Sequence, residues 1–379
     1  MVEAVARACQ VIASFRYEGE VLRLKDLVDR TGLSFSTTFR ILFTLQQGGL
    51  IERVGNKEYR SNVKTLRVSR YRLGYAHQGA EPGFVQEWSD SVVRAAAKER
   101  IELLVLDHGH DSQTPLRNAE RLIREQVDLV IDYLGDAHVA AINASKFAEA
   151  NIPVIAVGAP RPGAIYYGPD NYVAGLMGGR YLGRWAKQNW HGKADELLLL
   201  DIDISGPLQA LRMKGVEVGL KQAVPELNGI EVVRLNCNAR FLLTMELIRD
   251  HLCRSRARRI LVGAAFDPSA LGALRALEEA GRSEDIAVVS LGGCVEGRME
   301  LRRPGTRLIG DVAFFVDKYG ENVIRLAMDV LEKKPIPSAS FAKHKVLTPE
   351  NVDHYYPNDS LLSPTTAENP LLRCRPITG

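Results

Sequence analysis

Between Tyr71 and Phe314 the sequence repeats one event ten times: a short apolar run, then a stretch with helical spacing. The runs are YRLGYA, IELLVLDH, VDLVIDYL, IPVIAVG, AIYYG, ELLLLDID, EVVRLN, RILVGAA, IAVVSLGG and TRLIGDVAF. A strand that is apolar along its whole length is covered on both faces, and strands that alternate with helices pair in parallel. Segments such as Leu116 to Glu125 and Met177 to Gln188 have the spacing of the connecting helices. This pattern predicts an α/β protein with parallel sheets wrapped by helices, and places ligands at the carboxyl ends of the strands. No sequence repeat of roughly 20 to 50 residues accompanies it.

A different pattern precedes this region. Val5, Ala8, Cys9, Ile12 and Phe15 fall at helical spacing, a bend follows at Glu18 and Gly19, and Leu24, Leu27 and Val28 mark a second short helix ended by Thr31 and Gly32. The next stretch, TGLSFSTTFRILFTLQQGGL from Thr31 to Leu50, has Ser34 or Ser36 available as a cap. Its inward positions are Thr38, Ile41, Leu42 and Leu45, its outward ones Ser36, Phe39, Arg40 and Phe43, with Thr37 at the border; Gly48 and Gly49 stop it. LIERVGNKEYR then has hairpin chemistry around Gly55 and Asn56, carrying Lys57 and Arg60. Two helices, a turn and a hairpin make a helix-turn-helix with a wing. Net charge agrees: residues 1 to 72 hold 13 Lys+Arg against 7 Asp+Glu, or +6, while the remainder carries −3. A basic module beside an acidic remainder suits phosphate binding.

The run LKDLVDRTGLSFSTTFRILFTLQQGGLIERVGNKEYR closely resembles the winged helix-turn-helix domain of the IclR family of bacterial regulators. The resemblance implies double-stranded operator DNA as a partner. Ser34, Ser36, Thr37 and Arg40 match the start and exposed face of the family's recognition helix, and Leu50 to Tyr59 its wing. With Phe39, Lys57 and Arg60, these residues are the expected DNA contacts. Phe39 and Phe43 are bulkier than that face usually carries.

The alternating region is similar to the type I periplasmic-binding-protein fold of ribose-binding proteins and LacI-type effector domains. The likeness rests on ordered landmarks: EPGF at 81 to 84, NIPVIAVG at 151 to 158, GPDNYVAG at 168 to 175, RMKGVEVGL at 212 to 220 and AAFDPSALGALRALEEAG at 264 to 281. It implies two lobes that close on a small molecule, joined by crossovers near Gly168, Phe314 and Pro335. The expected organisation is a DNA-binding domain at 1–62, a linker at 63–70, lobe 1 at 71–168 plus 315–336, lobe 2 at 169–314 plus 337–356, and a tail at 357–379. Arg212 matches the sugar-binding arginine of an R-x-x-G motif and Phe84 a stacking aromatic. Asp136, Asn236, Phe266, Asp267 and Phe314 complete the expected ligand set. Four hydrogen-bonding positions of the relatives have changed: Gly158 and Gly292 stand where aspartates are usual, Phe266 where an amide is, and Phe314 where a glutamine is. This disfavours a simple pentose and favours a modified, larger or more aromatic sugar-like compound.

The remaining features narrow the classes. With 46% hydrophobic and 25% charged residues the composition is that of an ordinary globular chain. No signal peptide and no membrane-spanning run is present, so a cytoplasmic protein is expected. Five cysteines without CxxC spacing support neither disulfides nor a zinc site. His108 and His110 lack a third ligand, the glycines at 175, 178 and 179 lack a nucleotide-loop lysine, and RSRARR at 254 to 259 reads as a solvated loop. No cofactor, metal or catalytic motif is expected, hence no enzyme. The expectation is a homodimeric, ligand-responsive transcription regulator. Its alternatives are a cytosolic solute-binding protein whose N-terminal module dimerises, and a carbohydrate-acting enzyme.

Overall fold

The computed structural model describes residues 3–15, 19–63, 71–78 and 84–359, the Phe84 side chain excepted. Glu18 of the expected bend, the linker beyond Val63, Glu81 to Gly83 of EPGF and the tail beyond Asp359 lie outside the described residues.

The N-terminal unit runs α1 (Glu3–Ala13), β1 (Val21–Arg23), α2 (Leu24–Thr31), α3 (Phe35–Gln47), β2 (Ile51–Gly55) and β3 (Glu58–Ser61). Gly32 ends α2 at φ 67°, a left-handed conformation that a side chain would strain, and its N–H bonds to the Val28 carbonyl. Of the two candidate caps, Ser34 is the one used: its Oγ accepts from the Thr37 N–H at 3.2 Å. Leu42 and Leu45 join Val11, Leu27, Ile51 and Tyr59 in one small core, and Thr38 is buried with its hydroxyl on the Ser34 carbonyl. The wing turns at Asn56 and Lys57, with Lys57 at φ 62°. A third strand, β1, pairs antiparallel with β3 to give the order β1-β3-β2. Three residues carry no periodicity, which is why the sequence did not announce it.

Lobe 1 begins with β4 (Arg72–His77), α4 (Phe84–Lys98), β5 (Glu102–Asp107), α5 (Thr114–Arg124), β6 (Leu129–Tyr133), α6 (Ala137–Glu149), β7 (Val154–Val157) and β8 (Ile165–Pro169). Lobe 2 continues through α7 (Asn171–Asn189), β9 (Glu196–Asp201), α8 (Pro207–Ala223), β10 (Glu231–Asn236), α9 (Phe241–Arg254), β11 (Ile260–Ala264), α10 (Asp267–Glu279), β12 (Ile286–Gly292), α11 (Val295–Leu301) and β13 (Leu308–Ala313). The ten apolar runs are the ten strands β4 to β13. Every residue of β9, β12 and β13 is buried, as expected for strands covered on both faces.

After β13 the chain returns to lobe 1 as α12 (Tyr319–Leu331), which packs on α4 and bonds Gly320 N–H to Ser91 Oγ at 2.9 Å. It then forms β14 (Ala339–Ala342) beside β8, and crosses back into lobe 2 as β15 (Lys345–Leu347) and α13 (Val352–Tyr355). Lobe 1 has the strand order β14-β8-β7-β6-β4-β5, all parallel; lobe 2 has β10-β9-β11-β12-β13-β15, parallel except for β15. The third crossover is therefore at Lys343 and His344, not near Pro335, and residues 337–342 belong to lobe 1. The proline marked the end of a helix; the short edge strand after it had too few apolar residues to be read.

Helices α7 and α8 cross at backbone contact through glycines. A Cβ on Gly175 would lie 2.0 Å from the Arg212 carbonyl oxygen, one on Gly179 2.0 Å from that of Val216, and one on Gly215 2.4 Å from that of Tyr172. The glycines that resembled a nucleotide loop by composition thus serve helix packing, and Gly215 of the R-x-x-G motif brings Arg212 against α7. Gly179→Ala must push the helices apart. The expected loss is about 3 kcal/mol or more, at the upper end of overpacking effects, and roughly 5–10 °C in Tm by thermal unfolding. An unchanged Tm would show that this crossing is slack.

Candidate functional site

On α3 the outward face is as the sequence implied. Ser36, Phe39, Arg40 and Phe43 are exposed, and Phe35, Phe39 and Phe43, four residues apart, are each more than half exposed. Neither Phe39 nor Phe43 is buried elsewhere. The Arg40 guanidinium makes no hydrogen bond or ion pair among the described residues. Ser34 is partly spent as the cap, with Oγ 2.8 Å from Thr37 Oγ1 and 3.1 Å from Ser36 Oγ. Lys57 is exposed at the wing tip, whereas Arg60 is ion-paired with Glu52 across the hairpin, so its charge is already engaged.

The second site lies between the lobes. Arg212, on α8, is buried, and its fork is set by Nε donating to Asn171 Oδ1 at 2.7 Å and Nη1 donating to the Ala265 carbonyl at 2.9 Å. Nη2 makes no hydrogen bond among the described residues. Its guanidinium carbon lies 4.9 Å from the centre of the Phe314 ring. Burial pushes the guanidinium below the usual arginine range, while Tyr319, Tyr133, Tyr166 and Asp267 oppose that shift. The Tyr319 hydroxyl is buried without a hydrogen-bond partner among the described residues, and burial raises it well above the usual phenol range. An arginine with an open donor beside an unspent hydroxyl is a site for an oxygen-bearing ligand. Asn171 positions Arg212, and Asp170 caps α7, accepting from Val173 N–H at 3.0 Å.

Aromatic rings border the two glycines, Gly158 and Gly292, where the resemblance implied aspartates. Gly158 has φ 74°, which would strain an aspartate, and the Tyr133 ring lies 3.4 Å from where a Cβ would be. At Gly292 a Cβ would meet the Phe266 ring at 3.1 Å and Asp267 Oδ2 at 2.7 Å. Tyr133 in turn packs edge-on against Trp88 at 4.9 Å. Across the cleft, Gln209 Nε2 donates to the Gly158 carbonyl at 3.1 Å, and Arg298 Nη2 to Glu87 Oε1 at 2.7 Å, so both lobes contribute to its closure.

Other expected contacts are placed differently. Asp136 caps α6, accepting from His138 and Val139 N–H, and Asn236 accepts from Asp203 N–H at the end of the edge strand β10. Phe84 opens α4, and its side chain lies outside the described residues. Asp267 is not on the cleft rim: it is fully buried in lobe 2, accepting from Ser290 Oγ and, at 2.7 Å, from Cys294 N–H. Position after a strand suggested a ligand contact; the carboxylate instead meets Asp311, whose pKa burial and Asp267 raise well above its ordinary value. A carboxyl that keeps its proton longer when folded makes stability fall as pH rises above the unfolded value near 4. Asp311→Asn keeps a donor toward Asp267 and removes the titration. Urea unfolding is expected to show a flatter stability profile from pH 5 to 8 than the parent, by up to about 1.4 kcal/mol per pH unit; parallel profiles would exclude this pairing. His108, buried with Nε2 2.8 Å from Asp132 Oδ1 and Nδ1 3.2 Å from Asn118 Nδ2, belongs to an internal ion-pair network completed by Arg161.

Tyr133, Tyr166 and Tyr319 were not singled out in the sequence. VDLVIDYL and AIYYG do end in tyrosine-bearing strands, but a ring at a strand end reads equally as core; nothing near Tyr319 marks it.

Two parallel-sheeted lobes, three crossovers and an arginine-centred cleft define a hinged small-molecule-binding fold. Residues 75–335 match the periplasmic binding protein domain family, and the chain belongs to it. Residues 4–55 match the IclR helix-turn-helix domain. Both are binding domains rather than enzyme families. Similar solved structures include an ABC transporter periplasmic solute binding protein from Actinobacillus succinogenes 130z with bound D-allose, at 19% identity and TM-score 0.65, covering 76% of this chain and 100% of that one. A solute binding protein from Bacillus halodurans C-125 with bound myo-inositol has 22% identity and TM-score 0.63, covering 77% and 99%. Another from Agrobacterium vitis with bound allitol has 17% identity and TM-score 0.63, covering 76% and 98%. A search among curated proteins finds no match. Among the described residues, no helix is long and apolar enough to cross a membrane.

Proposed function

We propose that this protein is a cytoplasmic transcription regulator that binds operator DNA through α3 and the wing and senses a sugar-like small molecule by closure of its lobes. One observation carries the reading: a helix-turn-helix domain and a solute-binding domain occupy one chain. The basic N-terminal segment and Arg40, unpaired among the described residues, support DNA as the partner. Two copies reading a palindromic operator is the arrangement proposed for the assembly.

For the ligand, D-allose, myo-inositol and allitol in the similar structures point to a polyhydroxylated compound. The ring-for-carboxylate exchanges around Arg212 point to one with an apolar or aromatic portion and an anionic or hydroxyl group for the guanidinium. A thermal-shift screen of the full chain against sugars, sugar acids, polyols, cyclitols and aromatic glycosides tests this, because a ligand of the folded state raises Tm by mass action. Hits confined to compounds outside these classes would overturn the sugar-like assignment. DNA binding by the same protein, weakening steeply with salt, tests the other half.

A further inference from the structure

A cavity of about 730 Å³ lies beside the second and third crossovers, with Phe315, Lys318, Arg325, Phe341, Lys343 and Lys345 among its walls. Phe314 and Tyr319, which stand beside Arg212, are also among its walls, whereas Arg212, Tyr133, Gly158 and Phe266 are not, so it adjoins the interlobe cleft without containing the cleft arginine. Its charge is one-sided. Among the described residues, Lys318, Lys343 and Lys345 form no ion pair with any carboxylate, and Arg325 donates to the neutral Asn322 Oδ1 at 2.9 Å. The carboxylate in the wall, Asp329, is engaged by Lys334 at 2.8 Å.

The rest of the wall is largely aromatic. Lys318 Nζ lies 5.0 Å from the centre of the Phe315 ring, and Lys345 Nζ 5.9 Å from that of Tyr355. Phe341 is 55% exposed at the margin. Phe315 itself sits at φ 53°, a conformation a bulky residue adopts only under constraint, at the point where the chain passes between lobes. Separately solvated surface charges would spread apart; here four cations converge on one concavity, where a low-dielectric wall focuses their potential.

We propose that this cavity is a second small-molecule site, for an organic anion with an aromatic body, and that its occupant acts on the lobe angle. The occupant touches Phe314–Phe315 and Lys343–Lys345, two of the three connections between lobes. Any difference in its affinity for open and closed states is therefore transmitted to the cleft, and reciprocally.

The test uses the full-length protein and anilinonaphthalene sulfonate, an aromatic anion that fluoresces in apolar surroundings. Saturable binding at one site is expected. Lys318→Glu combined with Lys345→Glu should weaken it at least about tenfold, as should added salt, because charge pairs set the affinity. Phe341→Ser, at an exposed position, should weaken it too, and decides the matter if the charge-reversed protein fails to fold by circular dichroism. Arg212→Ala should leave it within about twofold, since the arginine packs on Phe314 but does not itself line this wall. Absence of saturable binding, affinity equal to the parent's in the Phe341→Ser and charge-reversed proteins, or loss of binding with Arg212→Ala would each overturn the proposal.

Discussion

Arg212→Ala is expected to abolish the thermal shift produced by any cleft ligand while leaving DNA affinity within about twofold of the parent. The side chain supplies the free Nη2 donor, and a charge-assisted hydrogen bond of this kind contributes about 1.5–3 kcal/mol. That alone lowers ligand affinity by roughly tenfold to a hundredfold, enough to erase a shift measured at a ligand concentration near the parent's Kd. Removal also leaves Asn171 Oδ1 without its partner at the start of α7, so the unliganded protein should melt a few degrees lower. Arg212→Lys separates the two roles, because an ammonium restores charge without the planar fork. Partial recovery of binding with Lys would support recognition by charge; loss of folding in both variants would show that the arginine is a packing residue.

The second large effect is expected at α3. Arg40→Ala should weaken operator binding about tenfold or more with no change in Tm, since the guanidinium makes no hydrogen bond or ion pair among the described residues. A phosphate contact would also reduce the salt slope by about one; a base contact would instead relax sequence preference at one position. Gel-shift titrations at several salt concentrations distinguish these. Phe39→Ala, on the same exposed face, is expected to lower affinity for thymine-containing sites most, because the C5 methyl is what an apolar side chain meets in the major groove. If either variant unfolds, the face is structural and the assignment of α3 to DNA fails.

Much of the architecture could be read from the residues because its causes are local. Runs such as ELLLLD and IAVVSLG are buried on both faces and therefore continuous, and α3 shows its inward stripe plainly. Strands β1, β14 and β15 escaped because each has three or four residues and lies at the edge of its sheet, so no periodicity develops. That omission displaced the third crossover by several residues. In the cleft, Arg212 was legible through a glycine whose reason is steric: Gly215 permits the α7–α8 approach that sets the guanidinium beside Asn171. The tyrosines around Arg212 were not, since a ring at a strand end has the same sequence signature inside a core or on a cleft. Asp267 misled for a related reason. Its partner, Asp311, is 44 residues away on another strand, and only the fold brings the two carboxyls together.

The most direct test of the account is the affinity of the full-length protein for a duplex selected from a random pool, measured by fluorescence anisotropy at fixed salt with and without a saturating ligand from the sugar and cyclitol screen. The account predicts that ligand changes the Kd by about 5- to 150-fold, the range of ordinary allosteric coupling, and that Arg212→Ala removes the change. Equal affinity with the cleft occupied and empty, or no salt-dependent DNA binding at all, would contradict it.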